Sequence, residues 1–154
     1  FGSKAGLMAA VLDEVTGAWI SELEDRSNRG GTPQEQLDDL VEGLRELVEE
    51  RSHLFRIILV PVMESGTIAP ELRDLTRELT NRSIEAISSG FNQSAGFELP
   101  DADLLAHTII CLTHGALRRL LMEPNVDLDP FFKDLHRTIR VLVADRLRRR
   151  VEAS

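Results

Sequence analysis

Residues 103–122 read DLLAHTIICLTHGALRRLLM, and the fold turns on how this stretch is hidden from water. Wound at 3.6 residues per turn it is apolar on nearly every side, and Pro124 follows it as a stop signal. A helix of that kind has to be buried on two faces. One layer of helices from the same chain covers one face; a second copy, in an isologous two-fold contact, covers the other. The stretch therefore predicts an all-α protein that forms a homodimer.

Working outward, the segment after Pro124 restarts at Asp129-Pro130, an N-cap with a first-turn proline. Phe131, Leu135, Ile139, Leu142 and Val143 then make the apolar stripe of a last helix that ends in a basic turn, Arg146 to Arg150. Those cations suit the negative end of a helix dipole, and without interleaved aromatics they do not read as a nucleic-acid patch. Upstream, Pro70-Glu71 opens a helix with the stripe Leu72, Leu75, Leu79, Ile87 and Phe91, closed near Gly96. Leu54 to Met63 is apolar except at Arg56 and suits a buried strand or a buried helix. Pro61 and the lack of any partner strand favour helix. Thr32-Pro33-Gln34-Glu35 is a capping box that starts a helix carrying Leu37, Leu40, Val41, Leu44, Leu47 and Val48, expected to end near Arg51. Ser3 caps the first helix, Lys4 to Arg26, whose stripe includes Met8, Leu12, Val15, Trp19 and Leu23. The sum is about six helices joined by short capped loops in a single domain spanning residues 1–154.

Composition agrees. A chain of 154 residues buries roughly 70% of its unfolded surface, enough for one core. Hydrophobic residues are 42% and aromatics 5%, with no Tyr, a mixture that favours helices over sheets. The formal net charge of −8 repels a phosphate backbone, so these residues are not expected to grip DNA by themselves. A single cysteine, Cys111, excludes an intrachain disulfide, and no apolar run approaches the roughly 20 residues needed to span a bilayer. A cytoplasmic protein without membrane contact is expected.

The opening residues, Phe1-Gly2-Ser3-Lys4-Ala5-Gly6-Leu7, resemble the junction in TetR-family transcriptional regulators where the chain leaves the recognition helix and enters the next one. The order of long helices is similar to the C-terminal domain of that family. The resemblance implies a helix-turn-helix head before residue 1, with residues 1–7 as the junction. It also implies an effector-binding and dimerisation domain, with the last two helices forming a four-helix bundle with those of a second subunit. Operator DNA would be contacted only through the head, and a small-molecule effector would control that contact, most simply as a repressor. Leu117, Leu121, Phe131, Leu135, Ile139, Leu142 and Val143 are then the expected dimer face.

Met8, Trp19, Phe55, Met63 and Phe91 stand on inward stripes that in the family surround the ligand cavity, which suits a hydrophobic effector. Arg56, the lone charge in its apolar run, either finds an acidic partner or meets an anionic effector. His107, Cys111 and His114, at i, i+4 and i+7, share an arc of roughly 60° on one helix. Three ligands on one straight helix seldom converge on an ion, so the spacing favours an interface, or polar contacts to the effector, over a metal site. A helical metal-binding protein or small enzyme using these three, and a protein-interaction adaptor, are the alternatives. No nucleophile beside a base, no paired carboxylates and no Gly-rich phosphate loop is present, so neither enzymatic activity nor a cofactor is expected.

Overall fold

Two side-chain caps set where the first helices begin. The backbone N–H of Gly6 donates to Ser3 Oγ at 3.0 Å, and α1 runs over Lys4–Asn28. The N–H of Glu35 donates to Thr32 Oγ1 at 3.2 Å while Glu35 Oε2 accepts from the Thr32 N–H at 2.7 Å, the reciprocal pair expected of a capping box. The Thr32 N–H and the Thr32 hydroxyl, which also donates to Glu35 Oε2 at 3.0 Å, favour the ionised carboxyl and hold it below its ordinary pKa. From this box α2 runs over Pro33–Ser65. The computed structural model describes residues 3–65, 69–99, 101–123 and 127–152, and all regular structure among them is helical. The remaining helices are α3 (Pro70–Ala95), α4 (Ala102–Met122) and α5 (Leu128–Glu152).

The break expected near Arg51 is absent. The capping-box helix and the apolar run from Leu54 are one continuous helix that passes through Pro61. Nothing between Arg51 and Leu54 stops a helix: no glycine or proline stands there, and a change from an amphipathic to a continuously apolar pattern is not a stop signal. At the other end, α5 is capped two residues earlier than expected, by Asp127, whose Oδ1 accepts from the Asp129 N–H at 3.1 Å. Gly96 closes α3 in the left-handed conformation, φ 72°, as a C-cap glycine should.

All five helices feed one aliphatic core. Its fully buried members are Ile20 on α1, Leu37 and Leu44 on α2, Leu105 and Ile109 on α4, and Ile139 on α5. α3 joins through Leu72, Leu79, Ile87 and Phe91. Close approach of α1, α2 and α3 needs Gly90: a Cβ there would lie 2.5 Å from Ser27 Oγ, a buried hydroxyl that faces Gln36 Oε1 at 3.4 Å. Polar stitches flank the core. Arg26 of α1 donates to the Asp39 carbonyl at 3.1 Å on α2, and His136 of α5 meets Asp38 of α2 at 2.6 Å. The His136 bond holds the Asp38 carboxyl below its usual range. Arg45 of α2 pairs with Asp129 of α5.

These contacts redirect the expected dimer face. Leu135, Ile139 and Val143 are buried within the chain itself, because α5 turns that stripe onto α2 and α4. With 6%, 0% and 4% of their surface exposed, these three are members of the chain's own core. Phe131 and Leu142 are half-buried, Phe131 lying edge-on to Phe132 with ring centroids 5.3 Å apart. The side chain of Leu121 lies outside the described residues. Among the described residues no helix is long and apolar enough to cross a membrane.

Ile139→Ala should lower the unfolding free energy by about 2–5 kcal/mol, because it opens a cavity in a closed core. Two residues earlier Arg137 is exposed, and Arg137→Ala should stay within about 0.5 kcal/mol. Urea denaturation of both variants checks the orientation of α5; equal losses would mean that the helix is rotated from the position described here.

Candidate functional site

A cavity of about 290 Å³ opens between α1, α2, α3 and α4. α1 contributes Leu12, Thr16 and Trp19, α2 contributes Leu44, Leu47 and Phe55, and α3 contributes Thr76, Leu79, Thr80 and Ser83. α4 completes it with Ile110, Thr113, His114, Leu117 and Arg118. The volume is at the lower end of the ~300–1,000 Å³ usual for small-molecule sites.

Its apolar wall follows from the helical stripes: Leu12 and Trp19, Leu44 and Leu47, and Leu79 each sit on the core-facing side of their helix. The hydroxyls follow a second period. Thr76, Thr80 and Ser83 are spaced i, i+4 and i+7 on α3, which brings them onto one face. Each donates its hydrogen back to the carbonyl four residues earlier, at 2.7, 2.8 and 2.8 Å, and Thr113 does the same on α4 at 2.9 Å. With the hydrogens engaged, these oxygens offer only lone pairs to a guest.

The donors lie elsewhere. His114 and Arg118 stand one turn apart on α4, and Arg118 makes no ion pair among the described residues. His114 is exposed by area, yet protein crowds enough of its ring to cost the imidazolium solvation, which pulls its pKa below the ordinary value. Trp19 is 6% exposed, and its indole N–H donates to nothing. A Cβ on Gly43 would lie 3.6 Å from that nitrogen, so the indole edge rests against the α2 backbone. Packing alone holds the ring.

Of the residues singled out in the sequence, Trp19, Phe55 and His114 line this cavity, and so does Leu117, which had been expected at the dimer face. Met8 packs on the core without reaching the cavity. Phe91 is buried against a separate crevice with Leu23, Ser27 and Gln36. Arg56 is exposed, so its charge faces solvent and not the guest. The side chain of Met63 lies outside the described residues. His107 and Cys111 are exposed on the outer side of α4, apart from His114, and no group of three or more His, Cys, Asp or Glu among the described residues is placed to hold a metal. The i, i+4, i+7 spacing puts these three on one arc of the helix, and the cavity wall cuts that arc between Cys111 and His114. Arg118 and the α3 hydroxyls went unnoticed; the hydroxyl spacing was the available signal. At the basic end of α5 a single carboxylate, Asp145, pairs with Arg146, Arg148 and Arg149.

No protein-family model matches the chain, and neither the curated proteins nor the solved structures compared with it match.

The depressed pKa of His114 has a consequence for stability. The unfolded imidazole titrates near 6.5 and the folded one lower, so between those values the unfolded state binds more protons. Acidification through that window therefore destabilises the fold. His114→Gln should flatten the fall in melting temperature between about pH 7 and pH 5 relative to the parent. Parallel slopes for the two proteins would show that the imidazole is fully solvated.

Proposed function

We propose that this chain is the effector-binding and dimerisation domain of a TetR-type transcriptional regulator, most simply a repressor. The supporting observation is that α1 builds one wall of the cavity. α1 is the helix that follows the TetR-like junction, and it presents Leu12, Thr16 and Trp19 to any guest. In a regulator of this type a helix-turn-helix head leads into that helix, and two heads must reach half-sites about 34 Å apart. A guest that presses on Trp19 acts on α1 directly. Because the indole makes no hydrogen bond, only packing resists its displacement. The effector must favour one position of α1 over the other, since equal affinity for both shifts nothing.

Dimerisation uses a different part of the last two helices from the stripe read in the sequence. The large apolar side chains left exposed on α4 and α5 are Leu104, Met122 and Val141, at 56%, 64% and 63%. Between Leu104 and Met122 the outer side of α4 carries Cys111 and Gly115, small enough for a neighbouring helix to approach closely, and a Cβ at Gly115 would meet nothing. A second copy seated there forms the four-helix bundle.

Sedimentation of the parent should give a dimer. Leu104→Glu combined with Val141→Glu should give a monomer with unchanged helical circular dichroism, because both positions are solvent-facing within one copy. A monomeric parent, or a double variant that remains dimeric, would remove this face from the proposal.

A further inference from the structure

Among the described residues the cavity lining holds no carboxylate. Acidic residues outnumber basic ones 26 to 18 in the chain, yet the described lining has no Asp or Glu and two nitrogen bases, His114 and Arg118. In an acidic protein that is the reverse of what solvent exposure alone would produce.

Hydrogen-bond accounting sharpens the asymmetry. Thr76, Thr80, Ser83 and Thr113 have committed their hydrogens to backbone carbonyls, and the Trp19 N–H is turned against Gly43. A guest anion would meet lone pairs along the α3 side and, apart from the Thr16 hydroxyl on α1, apolar carbon on the α1 and α2 sides. The one cationic donor in the lining is on α4, the guanidinium of Arg118, with the imidazole of His114 one turn before it. Arg118 is exposed, so it keeps its charge without a desolvation penalty, and no acidic side chain among the described residues competes for it.

We propose that the effector is an amphiphilic monoanion. Its apolar body fills the space beside Trp19, Leu44 and Leu79, and its acid group sits at the α4 side of the cavity on Arg118 and His114. The inference rests on the effector-binding reading of the same cavity and adds the charge class of the guest and its orientation. The apolar wall supplies affinity without discriminating charge. Arg118 sets the sign of the charge that is accepted, and His114 adds a directional hydrogen bond.

Trp19, the only tryptophan, reports occupancy by fluorescence. Three probes of equal chain length separate the charge classes: decanoate, 1-decanol and decylammonium, titrated at neutral pH into the full chain. Decanoate should bind at least about tenfold more tightly than decanol, the factor expected of a charge-assisted hydrogen bond, and decylammonium least tightly. Arg118→Gln should bring decanoate to the level of decanol while leaving decanol binding unchanged, which shows that the cavity is intact in the variant. Equal affinities for all three probes, or a decanoate preference that survives both Arg118→Gln and His114→Gln, would overturn the charge assignment and leave the effector cavity standing. If none of the three changes Trp19 emission or melting temperature, both the monoanion and the effector reading fail.

Discussion

Everything in this molecule depends on keeping aliphatic side chains from four helices in mutual contact while a space remains open beside them. Ile20, Leu37, Leu44, Leu105, Ile109 and Ile139 form that contact, each all but removed from solvent. Burial of such side chains stabilises by roughly 1.5–3 kcal/mol each, and the ordering of long helices consumes most of that gain. Polar ties bridge neighbouring helices at the edge of that core. Arg26 fixes α1 to α2, and Asp38 with His136 and Arg45 with Asp129 fix α2 to α5. Individually these exposed ties contribute little. Their role is geometric, setting the distance at which the apolar surfaces meet.

The cavity sits where four helices have their less crowded turns face to face. On α3 the positions that could have closed it hold Thr76, Thr80 and Ser83, whose short side chains bond to their own helix. A leucine at any of them would fill the space. The same back-bonding removes donors from the α3 wall, which leaves His114 and Arg118 on α4, with the Thr16 hydroxyl on α1, to offer protons. Shape and polarity of the site thus have a common cause in the choice of small hydroxyl residues on one helix face.

Periodicity and capping chemistry carried the sequence reading well where the determinants are local. Ser3 and the Thr32–Glu35 box begin their helices where expected, and Gly96 ends α3, because a cap is made by residues three or four apart. The break expected near Arg51 is absent for an equally physical reason: no glycine, proline or cap stands there, and a change of hydrophobic pattern does not by itself end a helix. Trp19, Phe55 and His114 were legible as cavity candidates from their stripes, whereas Phe91 and Met8 share the same pattern and belong to core packing. Periodicity tells which way a side chain faces. It does not tell whether a void or another side chain lies opposite.

By itself the sequence determined an all-helical chain, the caps of its first two helices and the existence of apolar stripes, all of which depend on neighbours along the chain. The tertiary structure alone decided how those stripes were paired. Leu135, Ile139 and Val143 could have met a second copy or the same chain with equal consistency, and α2 covers them because it lies within reach of α5, held there by Asp38 and Arg45. Leu117 went to the cavity and Val141 to the surface for the same reason. Burial is a property of two surfaces, and one helix's pattern specifies only its own.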